Sequence, residues 1–97
     1  MDLRQLRHFV TLAQTLNYRQ AAEQLHMSQP PLSQSIRKLE DDLGVQLFER
    51  DRRGTVLSDA GRAALESAKL ALYHARQVQA VSQATASGEL GRLHIGF

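Results

Sequence analysis

The sequence predicts a mainly α fold: three short helices, a small β-hairpin and one long helix after it. Three observations carry this. Apolar residues recur at helical spacing in separate stretches, and each stretch opens on a capping side chain. A short β-favouring segment, Thr55–Leu57, follows a glycine. Aromatic residues make up only 5% of the chain, with no Trp, so the core is built from Leu, Ala, Val and Ile, which suits helices.

The first helix runs from Leu3 to Leu16. Asp2 caps it, with Gln5 three residues on in a capping-box arrangement. Leu3, Leu6, Phe9, Val10, Ala13 and Leu16 mark its apolar face, and Arg4, Arg7 and His8 lie off it. Asn17 caps a second helix, with Gln20 three residues later. Tyr18, Ala21, Ala22 and Leu25 form its buried face, and the paired alanines let another helix approach closely. His26, a surface residue, and Met27 make a short turn.

Ser28 to Gly44, reading SQPPLSQSIRKLEDDLG, is the third helix. Ser28 is placed to cap it. Pro30 and Pro31 fall in the first turn, where N–H groups have no helical partner, so they fit there and fix the backbone. Leu32, Ile36, Leu39 and Leu43 give one apolar stripe, and Gly44 ends the helix. The opposite face holds Gln29, Ser33, Gln34, Arg37 and Lys38. Glu40, Asp41 and Asp42 crowd the last turn and would be repelled by phosphate, so a nucleic-acid contact must use the N-terminal half. Helix, short turn and polar-tipped helix together make a helix-turn-helix.

Leu47–Arg50 and Thr55–Leu57 read as a hairpin with Gly54 supporting the turn. Its tip carries Arg52 and Arg53. Such a tip beside a helix-turn-helix is a wing, suited to phosphates or a narrow minor groove. Ser58 then caps a long helix running to about Ser87, with Asp59 complementing the dipole. Some 30 residues at ~1.5 Å each span about 45 Å, more than a domain this small buries. Ala64, Ala71 and Val78 step by seven, as do Ala68, Ala75 and Ser82, which resembles a heptad seam. Leu65, Ala68, Leu72, Ala75 and Val78 are therefore the expected dimerisation residues. The glycines at 88 and 91 read as a hinge, and residues 92–97 alternate like the first strand of a further domain.

Composition sets the outer bounds. The 97 residues leave room for one small domain, or one domain and an extension. Hydrophobic residues at 42% and charged ones at 23% are ordinary for a globular chain. The net charge of +2 does not by itself choose a partner. With no cysteine, disulfides, thiolate zinc sites and thiol catalysis are excluded. The four histidines, at 8, 26, 74 and 94, share no metal-ligand spacing. No phosphate-cradling loop or nucleophile elbow is present, so an enzyme reading has nothing to stand on. Residues 1–20 lack a signal-peptide core, and no apolar run spans a bilayer, so a cytoplasmic protein without a membrane partner is expected.

The stretch LRQLRHFVTLAQTLNYRQAAEQLHMSQPPLSQSIRKLEDDLGVQLFER, the RRG turn and the VLSDAGR lead into the long helix resemble the N-terminal DNA-binding region of LysR-type transcriptional regulators. The resemblance covers essentially the whole chain. It implies a winged helix-turn-helix over residues 1–57, a linker helix over 58–87 that forms homodimers, and a hinge and first strand of an effector domain over 88–97. It also implies a small-molecule inducer bound only in that further domain, tetramers for full-length members, and promoter DNA as partner, with RNA polymerase as a second one. No cofactor is expected in this chain. By the family's pattern Gln29, Pro30, Pro31 and Ser33 face the groove, Arg53 enters the minor groove and Arg50 lies at the wing base. Gln34 is read as a further base contact, and Ser28, Arg37, Lys38 and Arg52 as phosphate contacts. Many members have arginine where this chain has Gln34; arginine favours guanine, whereas glutamine pairs naturally with adenine. Tyr18 is bulkier than the usual aliphatic residue and is read as core packing. The QPPLS form looks most like members that control aromatic-compound catabolism. Two other classes compete: a protein-interaction module working through the long helix, and an RNA binder, disfavoured by the lack of interleaved exposed aromatics.

Overall fold

A computed structural model describes residues 1–87; the expected hinge and strand at 88–97 lie outside the described residues. The elements follow in order as α1 (Leu3–Thr15), α2 (Tyr18–Gln24), α3 (Gln29–Leu43), β1 (Phe48–Asp51), β2 (Gly54–Leu57) and α4 (Asp59–Ala86). No helix among the described residues is long and apolar enough to cross a membrane.

The capping box of α1 forms as expected: the Gln5 N–H donates to Asp2 Oδ1 at 2.8 Å, and the Asp2 N–H donates to Gln5 Oε1 at 3.0 Å. Its buried face is Leu6, Phe9, Leu12 and Ala13. Leu3 and Leu16 were expected on that face but are 46% and 40% exposed, because they sit at the helix ends, past the reach of the core. Leu12, fully buried, replaces them. Leu16 is the C-cap rather than a helical residue, and it is left-handed at φ 52. His26, after α2, is left-handed at φ 55. Two non-glycine residues in this region, each costing about 1–2 kcal/mol, turn the chain into and out of a helix only seven residues long. The Asn17 cap on Gln20 forms at 2.9 Å.

In α3, Leu32, Ile36 and Leu39 are buried, whereas Leu43 is exposed at the end of the stripe. They join Phe9, Leu12, Ala21 and Ala22 in one cluster. The expected Ser28 side-chain cap is absent. A capping oxygen accepts from the second or third helical N–H. In α3 those positions are Pro30 and Pro31, which have none.

Glu40, near the end of α3, directs its carboxylate at the chain that follows. Its Oε2 accepts from the Leu47 and Phe48 N–H groups at 2.8 and 3.3 Å, which starts the hairpin. The strands pair antiparallel, Phe48 opposite Leu57 and Asp51 opposite Gly54, one residue nearer the tip than expected. Gly54 takes the turn's positive φ, 106, so neither arginine at the tip has to. Phe48 packs edge-on against Phe9, with centroids 5.7 Å apart.

Ser58 joins wing to long helix. Its N–H donates to the Leu47 carbonyl at 2.9 Å, its Oγ donates to the Gln46 carbonyl at 2.6 Å, and that Oγ accepts from the Gly61 N–H at 2.9 Å. Gly61 is buried against the Leu47 backbone, where any Cβ would collide with the carbonyl oxygen.

The start of α4 therefore belongs to the core. Ala68 is 5% exposed, and Ala64, Leu65, Ala71 and Leu72 pack on the same cluster. Of the expected dimer seam, Ala68 is buried within its own protomer and Leu65 and Leu72 are half-buried there. Ala75 is half-buried and Val78 exposed. Leu70, Tyr73 and Val81 stand exposed as well, and the heptad reading left them out.

Two N-cap serines thus behave differently. Ser58→Ala should lower unfolding free energy by about 1–2 kcal/mol in urea titrations, because it removes a working cap. Ser28→Ala should stay within ~0.5 kcal/mol of the parent, and Gly61→Ala should cost ~1–3 kcal/mol or more through overpacking.

Candidate nucleic-acid interface

Burial of Leu32, Ile36 and Leu39 turns the rest of α3 outward. Gln29, Pro30, Pro31, Gln34, Arg37 and Lys38 are exposed, and Ser33 is half-exposed. At 3.6 residues per turn, Pro30 and Gln34 share the outermost line, with Ser33 and Arg37 on one flank and Pro31 and Lys38 on the other. The two prolines remove N–H groups that would otherwise make this helix start a phosphate cradle. What remains at the tip is amide side chains, ring carbons and the uncommitted Ser28 hydroxyl. Amides match adenine edges and apolar carbon matches the thymine methyl.

On one flank a polar cleft brings Gln29 together with Asn17, Arg19, Arg50, Arg53 and Thr55. Three residues singled out in the sequence thus meet across α3 and the wing. Asn17 and Arg19 were missed; Asn17 was legible only as a cap, and Arg19 as a helix-surface cation paired with Glu23 at 3.1 Å. Tyr18 packs on the core as expected. Burial raises the pKa of its phenol, Glu40 raises it further, and Arg37 and Arg50 oppose.

Arg53 is engaged by its own wing. Its Nε and Nη2 donate to Asp51 Oδ2 at 3.1 and 2.7 Å, and its N–H donates to Oδ1 at 2.7 Å. These bonds hold the exposed Asp51 carboxyl below the ordinary carboxylate range. Arg50 and Arg52 have no carboxylate partner among the described residues.

On the other flank a second cleft lies between α1 and α3, lined by Arg4, His8, Gln34, Ser35 and Lys38. At its floor His8 Nδ1 and Ser35 Oγ share a hydrogen bond of 2.7 Å. His8, read from the sequence as off the packed face, is 7% exposed. Burial lowers its pKa, Arg4 and Arg7 lower it further, and Asp2 opposes them.

Arg19, Arg62 and Lys69 each pair with an acid three or four residues along their own helix. Arg4, Arg37 and Lys38 beside the outward face of α3, and Arg50 and Arg52 on the wing, have no such partner among the described residues, and neither do Arg7 and Arg76. Residues 3–62 match the family described as bacterial regulatory helix-turn-helix protein, lysR family. The chain belongs to the LysR family. It is 45% identical over 98 residues to the HTH-type transcriptional regulator ClcR of Pseudomonas putida, covering all of this chain and 33% of ClcR. The chain thus spans about a third of the length of that curated relative. Among solved structures, the CbnR_DBD–DNA complex matches at TM-score 0.83 and 44% identity, over 89% of this chain and 99% of that one. The BenM_DBD/catB site 1 DNA complex matches at TM-score 0.86 and 36% identity, over 91% and 95%. This chain shares their fold over about nine-tenths of its length, and its own helix-turn-helix, two-stranded wing and long helix are the expected fold class.

Within this LysR-family fold the buried histidine makes a pH prediction. Folding depresses the His8 pKa, so the unfolded chain takes up the proton first. Its contribution to stability is complete above about pH 6.5 and drains away as pH falls toward the lower folded value. Urea titrations from pH 8 to 5 should therefore show a steeper loss for the parent than for His8→Gln. Parallel curves would contradict the depressed pKa.

Proposed function

We propose that this chain is the sequence-reading, double-stranded-DNA-binding part of a bacterial transcription regulator, working as a homodimer. The outward polar face of α3, with Arg37 and Lys38 on it, Arg4 beside it and Arg50 across the wing-side cleft, none of which has a carboxylate partner among the described residues, is the observation that supports this most. The similar CbnR and BenM domains are both solved in complex with DNA, which supports the same reading.

In this reading α3 enters a major groove. Gln29, Ser33 and Gln34 hydrogen-bond base edges, with Gln34 on adenine, and Pro30 and Pro31 contact thymine methyls. Ser28, Arg37, Lys38, Arg50 and Arg52 meet phosphates. Arg53 exchanges its Asp51 partner for a narrow, electronegative minor groove. The partner protomer pairs through the part of α4 that leaves the core, with Ala75, Val78, Val81, Leu70 and Tyr73 as its apolar surface. For the whole protein we propose tetramers, contact with RNA polymerase, a small inducer bound outside this chain, a cytoplasmic location, no catalysis, and kinship with regulators of aromatic-compound catabolism. Residues 58–87 serve as the linker.

The second reading, a protein-interaction module, draws on the exposed Leu70, Tyr73 and Val81. Selection from a random duplex pool, followed by anisotropy titration of the selected site, separates the two. Affinity should fall steeply with salt, and Gln34→Ala should lose about 1–3 kcal/mol of discrimination at a single base pair. A stable dimer that binds no duplex at low salt would favour the second reading. Arg53→Ala should weaken binding most where the flanks are A·T-rich; an equal loss on every flank would refute the minor-groove role.

A further inference from the structure

We propose that the cleft between α1 and α3 is a phosphodiester-binding site, with Arg4 of α1 as its main ligand and Lys38 of α3 as its second. The proposal rests on the DNA-binding reading and adds an element to it, since neither the helix-turn-helix nor the wing includes α1.

A helix lying in a major groove has a sugar–phosphate strand on each side. The wing and the N-terminus of α2 serve one side. The other side of α3, bearing Pro31, Ser35 and Lys38, faces the N-terminal half of α1 across the cleft. Arg4 and Lys38 both line that cleft, both are exposed, and neither has a carboxylate within ion-pair distance among the described residues. Gln34, on the outermost line of α3, borders the same cleft, so a base contact and a phosphate contact there are neighbours.

The walls are held at a set separation. His8 on α1 and Ser35 on α3 meet at 2.7 Å on the floor, and His8 is buried. They are positioning residues, tying the helix that carries Arg4 to the one that carries Lys38. One acid, Asp2, also lines the cleft. Its Oδ1 is already accepting from the Gln5 N–H at 2.8 Å, which directs it to the helix start.

Arg7 supplies the control. It sits on the same helix, is exposed, carries the same charge, and does not line the cleft. Anisotropy titrations of the selected duplex across a salt series compare parent, Arg4→Ala, Arg4→Lys and Arg7→Ala, each checked for unchanged thermal unfolding. In a bound homodimer Arg4→Ala removes two phosphate contacts, one per protomer, which should reduce the log–log salt slope by about 1.8 and weaken binding roughly sixtyfold near 0.1 M salt. Arg4→Ala should do both and leave base discrimination unchanged; Arg4→Lys should recover most of the slope, and Arg7→Ala should change affinity less than about twofold. Equal behaviour of Arg4→Ala and Arg7→Ala, with parent binding intact, overturns this site alone. A parent that binds no duplex overturns the DNA-binding reading and this site together.

Discussion

Leu32, Ile36 and Leu39 are each at most 2% exposed, and they hold α3 against Phe9, Leu12, Ala21 and Ala22. Each such burial stabilises by roughly 1.5–3 kcal/mol, so rolling α3 about its axis would forfeit several kcal/mol at once. That constraint decides which side chains meet solvent. With the aliphatic stripe inward, Pro30 and Gln34 have no direction left but out, and the flanking positions fall to either side. The small Ala21 and Ala22 allow the brace helix to approach closely enough for this packing. The left-handed residues at Leu16 and His26 then set its entry and exit.

A second constraint ties the wing and α4 to that platform. Glu40, at the end of α3, anchors the Leu47 and Phe48 N–H groups, and the Leu47 carbonyl receives the Ser58 N–H. Gly61 lets α4 start directly on that carbonyl. One short stretch of backbone therefore connects recognition helix, hairpin and long helix. A rotation of α4 would pass to the wing through Ser58 rather than being absorbed by a loop. The acids of α3 that oppose the helix dipole thus have at least one structural use, and it keeps a negative charge turned away from the groove-facing side.

Most of this was legible in the residues. Capping pairs, the α3 stripe, the glycine-backed turn and the length of α4 all act locally, over three or four residues, so a linear reading finds them. What escaped depends on distant contacts. Ala68 looked like a seam residue because periodicity records which positions share a face, not which neighbour covers it; the neighbour is α1. Leu12 and His8 sit beside the stripe that spacing suggested and are buried because α3 and α1 converge there. Ser28 is the instructive case: the two prolines that identify the helix start also remove the N–H groups its hydroxyl would cap. Arg19 and Asn17 joined the wing-side cleft only once α2 was placed next to β2.

The outward face of α3 can be watched directly through the side-chain NH2 groups of Gln29 and Gln34, followed by heteronuclear NMR as a selected duplex is added. The account predicts that both amide pairs shift and become protected from exchange, along with the backbone amides of the wing tip, while Leu70 and Tyr73 on α4 stay unmoved beyond the effects of dimerisation. Unshifted glutamine side chains in a saturated complex, with the perturbation centred on α4, would contradict it.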